Sequence, residues 1–278
     1  RLLGEVFSNY IYVEGLLNSL CIAAVTTLMV FAISLPLALL YDRYEFPGKN
    51  WCNLLMMLPM ILPPFVGALG FQQILGHYGV VNTLLASCGF EPVDFLGGRG
   101  RFWSVCFIEA LHLYPILYLN LVTALGNLDP QLNEAARNLG ASWWTRFRRI
   151  TLPLMKPGIF AGGSIVLVWS FTELGTPLMF GFNRVTAVQI FNGIMELETN
   201  PVPYALVVVM LFFAAVMYLA GKFVLGRNAA NSTVKGNAGS AARPPAGWHR
   251  FLPTGVFALV TLLAALPLGA AVRTPAVF

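Results

Sequence analysis

Two carboxylates, Glu109 and Glu173, stand inside long apolar runs of this 278-residue chain. An ionisable side chain at membrane depth is costly, so it lines a cavity, finds a partner or reaches an interface. Both are candidates to meet a cationic solute or a protein docked on the outer face; a structural contact between helices is the competing account. His112 follows Glu109 by three residues on one helix face, where a hydrogen bond between the two is expected. Glu173 lies in Phe171-Thr172-Glu173-Leu174-Gly175-Thr176-Pro177, whose Gly and Pro point to a broken helix end. Cys21, Cys52 and Cys106 fall in apolar runs and Cys88 in a loop; without metal or redox spacing they are packing residues. His77, His112 and His249 are too scattered to form a ligand set, so no metal site and no catalytic residue is expected. No Walker-type glycine loop is present, so this chain does not hydrolyse ATP itself.

The elements that hold these residues follow from composition. A chain that is 57% hydrophobic and 10% charged lies outside the range of soluble globular proteins. Crossing a hydrocarbon core takes roughly 20 helical residues, and six runs qualify: Leu16–Leu40, Cys52–Leu75, Trp103–Leu125, Gly158–Phe180, Pro203–Leu225 and Phe251–Val272. Strands of a membrane barrel would alternate polar with apolar over about ten residues. The class is an all-α polytopic membrane protein.

Lys and Arg concentrate in cytoplasmic loops. Placing the loop after the third run inside puts 12 of the 17 basic residues there and leaves only Arg1, Arg99, Arg101, Arg184 and Arg273 outside. The net charge of +5 is thus explained by topology, and no nucleic acid partner is expected. With residue 1 outside, one further span is expected before it. Residues 226–250 are rich in Ala, Gly, Asn and Pro and read as a cytoplasmic linker. The expected division is a transmembrane core over 1–225, the linker over 226–250, and in 251–278 the first helix of a second bundle.

The cytoplasmic loop LDPQLNEAARNLGASWWTRFRRITLPLMKPG reads as two short helices joined by a turn. Asp129 caps the first helix, with Pro130 at its first position. Gly140 suits the left-handed residue that ends it. Ser142 caps the second, which is expected to finish before Pro153; there Trp143, Phe147 and Ile150 share one face, with Arg146 and Arg149 on another. A solvated basic linker is the plain alternative. However, Glu134-Ala135-Ala136, then after three residues Gly140, and after nine more Ile150-Thr151-Leu152-Pro153 match the EAA signature of ABC-importer permeases. Asn18-Ser19-Leu20, Ser34-Leu35-Pro36-Leu37-Ala38, Phe46-Pro47-Gly48-Lys49, Leu58-Pro59 and Leu62-Pro63-Pro64 extend the resemblance over most of the chain.

The resemblance implies a type I importer bundle of the bacterial inner (cytoplasmic) membrane, with five core helices of which the first is expected to be missing here. It implies that Glu134, Ala135, Ala136, Gly140, Ile150, Leu152 and Pro153 belong to coupling helices seated in a cytoplasmic ATPase dimer. ATP and Mg are then bound by that partner, and this chain carries no cofactor. A periplasmic solute-binding protein, a second permease half fused in one polypeptide, and membrane lipid complete the expected partners. Closure of the ATPase pair would rock the transmembrane helices as a bistable rigid body. The two-bundle organisation and the Glu173–Pro177 stretch most resemble iron(III) permeases, while polyamine, thiamine and phosphonate permeases share the fold. The outer loop 76–101 is an ordinary connection or a contact for the binding protein. Two rivals stand further off. An ion-gradient carrier would need no docking loop, and an intramembrane enzyme would need a convergent Ser/His or paired-Asp set that is not found.

Overall fold

A computed structural model of the chain describes residues 2–61, 63–98, 100–194, 201–225 and 251–273. A short helix α1 (Leu2–Ser8) leads into α2 (Tyr10–Arg43), whose start is capped by Asn9, its side chain accepting from the Ile11 amide at 3.0 Å. Next come α3 (Lys49–Leu55), α4 (Leu58–Ile61) and α5 (Pro64–Leu75), then α6 (Val80–Ser87) in the outer loop and α7 (Gly100–Gly126). The cytoplasmic loop holds α8 (Pro130–Asn138), α9 (Trp143–Arg146), a π-helical turn (Phe147–Thr151) and α10 (Leu152–Leu154). The chain then continues through α11 (Lys156–Thr172), α12 (Gly175–Met179), α13 (Thr186–Ile194), α14 (Val202–Leu225) and α15 (Phe251–Arg273).

Four of these elements are long and apolar enough to cross a membrane: α2, α7, Lys156–Met179 and Val202–Val224. The second predicted run, Cys52–Leu75, is not one straight span. It bends by 94° between Lys49–Ile61 and Pro64–Ser87. Pro59, Pro63 and Pro64 supply the reason, since three missing N–H donors within six residues leave the ladder nothing to continue with. Counted as one crossing, the bent pair makes five; α15 adds a shorter apolar stretch, Phe251–Pro267. The expected linker 226–250 lies outside the described residues.

Helix α7 is the central post. In its apolar window 72% is buried, against 28–33% for the other three crossing helices, whose outer faces carry bare aliphatic and aromatic side chains such as Leu28, Leu211, Phe212 and Phe223. Those faces suit lipid. Around the post, Tyr114 donates to the Met56 carbonyl at 3.1 Å and Tyr118 to Asn53 Oδ1 at 3.0 Å, satisfying buried hydroxyls. Both bonds pin the bent span. Phe257 of α15 is fully buried against Phe46 and Tyr118, so α15 packs on the bent span and its neighbours. Of the cysteines, Cys106 packs in the core as expected, but Cys21 lies on the exposed side of α2.

Helix α11 meets α7 along a seam of small residues. A side chain at Gly158 would lie 2.7 Å from the Asn120 carbonyl, and one at Gly162 2.9 Å from Leu117 Cα. Such a seam lets backbones approach without relying on apolar burial, which gives no drive in lipid. At the outer face, Arg184 forks onto Glu14 at 2.8 and 2.9 Å, Asn18 donates to the Arg184 carbonyl, and the Thr186 amide donates to Ser19. These contacts tie the segment after α12 to the outer end of α2. The outer loop is also built: Asn82 bonds the Gly76 carbonyl and both backbone groups of Val93. Replacing Gly162 with Leu is expected to pry α11 from α7 and cost about 1–3 kcal/mol, read as a lower melting temperature of the detergent-solubilised protein.

Candidate functional site

The cytoplasmic loop is rigid by construction. Asp129 Oδ1 accepts from the Gln131 amide at 2.9 Å, and Pro130 follows at the first helical position, where an N–H would be unused. At the other end of α8, Gly140 adopts φ +78°. Its amide donates to the Arg137 carbonyl at 2.9 Å and the Ala141 amide to the Ala136 carbonyl at 3.0 Å. That pair of bonds is a Schellman stop, and only a residue free to be left-handed closes it without strain. Ser142 then caps α9 by accepting from the Thr145 amide at 3.3 Å. Trp143 stacks on Phe147 with ring centroids 5.7 Å apart and 11° between planes, and Trp144 lies against the same ring.

The second helix of the loop does not finish before Pro153. After α9 the ladder widens into the π turn, with the Leu152 amide donating to the Phe147 carbonyl five residues back. Pro153 lacks the donor that an ordinary ladder would need, and the wider turn takes the chain out of that register before the proline arrives. Backbone angles stay helical at Thr151 and Met155, so the loop runs into α11 without a free hinge. Sequence reasoning missed this continuity. The signal was a second proline, Pro157, at the start of α11, where it opens a helix as readily as it ends one.

The signature residues divide by exposure. Glu134, Ala135, Gly140 and Pro153 are exposed, while Ala136, Ile150 and Leu152 are half-buried. Around them Leu139 is 88% exposed, and Leu132, Trp143 and Trp144 are also bare. Large apolar side chains are thus left bare in an otherwise basic loop. Between this loop and the inner end of α2 lies a cleft of about 980 Å³, bordered by Leu35, Leu39, Arg43, Glu134, Arg137 and Arg146.

The two intramembrane carboxylates are placed differently. Glu173 is 8% exposed, in extended backbone between α11 and α12. Its Oε1 accepts from the Gly175 amide at 2.9 Å, capping α12, and its Oε2 from Trp169 Nε1 at 3.2 Å. Glu109 does not pair with His112. Its Oε2 takes the hydroxyls of Ser170 and Thr26, whereas His112 turns to the backbone of Pro59 and the edge of Trp169, 6.4 Å between centroids. Three residues of helix leave about 60° between the two side chains, enough to send them into different seams. His112 borders a cavity of about 30 Å³ beside the prolines of the bent span. Neither carboxylate borders that cavity or the cytoplasmic cleft.

Residues 34–227 match the family described as the binding-protein-dependent transport system inner membrane component. The chain belongs to this family. It is 31% identical to a probable molybdenum ABC transporter permease protein of Haloferax volcanii, over 76% of this chain and 75% of that protein. It is 30% identical to the ferric transport system permease protein FbpB of Actinobacillus pleuropneumoniae, over 69% of this chain but only 27% of that much longer protein. The fold is shared with a bacterial ABC transporter involved in alginate import, whose crystal structure aligns with TM-score 0.67 at 20% identity over 81% of this chain and 82% of that one. This permease is accordingly a multi-pass inner-membrane transport subunit of an ABC importer rather than an enzyme, and a family of this kind works with an ATPase and a solute-binding protein. The carrier driven by an ion gradient is set aside.

Substituting Asp129 by Ala removes the α8 cap of this permease and is expected to cost about 1 kcal/mol locally. Hydrogen exchange should then speed up at residues 131–139 while α7 and α11 keep their protection.

Proposed function

We propose that residues 134–153 seat in the ATPase subunit and that ATP-driven closure is transmitted from them into α11. The observation that carries this reading is the helical backbone kept at Thr151 and Met155, which joins the short helices of the loop to a membrane-crossing helix. The bare patch of Leu139, Trp143 and Trp144 beside the signature residues Glu134, Ala135, Ala136 and Gly140 supports it. Ile150, Leu152 and Pro153 form the neck through which the load passes. In the proposed cycle the binding protein delivers cargo to the outer face of the inward-facing permease. ATP binding turns the cavity outward to receive it, and hydrolysis returns it inward. Gly140→Pro should abolish binding-protein-stimulated ATP hydrolysis in the reconstituted complex, because its ring forbids the left-handed φ and removes the amide bonded to Arg137. Gly140→Asn, which tolerates that φ, should retain most of the stimulation. Full stimulation in the proline variant would refute the docking role.

We further propose that the chain is the first half of a fused two-bundle permease for ferric iron. The match takes up about a quarter of FbpB, which leaves room in that longer protein for a second bundle and supports this reading. Of the two carboxylates, Glu173 is the one proposed for the translocation path. It stands at the break between α11 and α12 and beside the start of α5, since a side chain on Gly175 would touch both its Oε1 and the Phe65 amide. A carboxylate there suits a cation better than an anion. Molybdenum is the second reading, favoured by the longer coverage of the Haloferax relative. Uptake of radiolabelled iron(III) into proteoliposomes holding the full complex should exceed that of molybdate and spermidine, and Glu173→Gln should reduce it by about tenfold, the scale of one charge-assisted contact. Preferential molybdate uptake would overturn the iron reading.

A further inference from the structure

Glu109 is 2% exposed, in the core where α2, α7 and α11 meet. The Ser170 hydroxyl of α11 and the Thr26 hydroxyl of α2 both donate to its Oε2, so three helices converge on one atom. Its Oε1 has no hydrogen-bond partner among the described residues. Buried polar groups hold geometry most firmly when their partners come from different elements, because losing one leaves the others unsatisfied in a medium without water.

The position of this contact relative to the loop gives it a role. The inner ends of α7 and α11 are joined covalently through the loop, and Gly158 and Gly162 hold the adjoining half of α11 close to Asn120 and Leu117. The outer end of α11 lies beyond that glycine seam. There Ser170 reaches Glu109, three residues before Glu173 and the break that leads into α12. The helix pair is thus fastened at both ends, and Thr26, near the middle of α2, brings the third helix into the same frame. Neighbours that are hydroxyls from other helices, with neither cavity at hand, suit a fastening rather than a cargo contact.

We propose that Glu109 is a positioning residue of the transport cycle, tying the outer end of α11 to α7 and α2 so that a displacement received at the loop moves the three helices as one body. The proposal rests on the docking role of residues 134–153. Without the tie, α11 follows the loop along its inner half only, and its outer end with Glu173 lags behind. ATP is then spent without a matching movement of the outer face.

The test is made on the complete transporter, with its ATPase and binding protein, in proteoliposomes. The readout is ATP hydrolysed per molecule imported, using whichever of radiolabelled iron(III), molybdate and spermidine the unaltered complex takes up. A permease that merely misfolds lowers both quantities together and leaves their ratio alone. Glu109→Leu is expected to raise the ratio about tenfold, the scale of a buried hydrogen bond lost. Glu109→Gln, whose amide oxygen still accepts, should stay within about twofold of the unaltered complex. Ser170→Ala should raise the ratio by an intermediate amount and add nothing in the Glu109→Leu background, as expected for two groups acting through one contact. Should Glu109→Leu fail to assemble, Ser170→Ala and Glu109→Gln carry the test on their own. Import lost as fully in Glu109→Gln as in Glu109→Leu would make the residue a charged cargo contact and overturn the proposal, as would an unchanged ratio in both Glu109→Leu and Ser170→Ala. A failure of the docking role is separately visible, as full stimulation of ATP hydrolysis in the Gly140→Pro complex.

Discussion

Hydrocarbon offers no hydrogen bonds, and that constraint governs each irregular point in this permease. Where the backbone leaves helical geometry at membrane depth, a side chain or a packed neighbour takes over. The break between α11 and α12 is covered by Glu173, whose oxygens accept from the Gly175 amide and the Trp169 indole. The bend between α4 and α5 falls among prolines that have no amide to satisfy, and the hydroxyl of Tyr114 and the ring of His112 reach the backbone of Met56 and Pro59 beside it. Straight helices need no such help. The first break is marked in the sequence by a carboxylate in an apolar run, the second by prolines.

Outside the membrane the governing requirement is different. The loop after α7 must keep its shape while leaving apolar side chains bare. It does so with local bonds alone: a cap at Asp129, a Schellman stop at Gly140 and a second cap at Ser142. None of these uses a partner protein, so the surface that presents Leu139 and the two tryptophans is formed in advance. Preorganisation of this kind lowers the ordering cost of association.

Much of this was legible in the residues. The apolar runs gave the class, and Asp129, Gly140 and Ser142 announced their local geometry because caps and left-handed stops depend on one residue each. What stayed hidden depends on partners far away in the chain. His112 was expected on Glu109 because spacing along one helix is visible, whereas Thr26 and Ser170, 83 and 61 residues distant, are not. The second apolar run was legible as a run, but the 94° angle of its bend was not, since prolines interrupt a helix without fixing the direction the chain takes next. The continuity through Pro153 was misjudged because a proline closes one helix and opens another with the same chemistry.

The π turn at Phe147–Thr151 has a geometric consequence. Each residue of an ordinary helix advances the side-chain direction by about 100°, and a turn that holds an additional residue shifts the phase of everything after it. The compass bearing of Trp143 and Phe147 is thereby separated from that of Gly158 and Gly162. Were the helix uninterrupted, rotating one surface to fit a partner would rotate the other off α7. With the wider turn between them, the two faces are indexed independently, as two keys cut at different angles on one shaft.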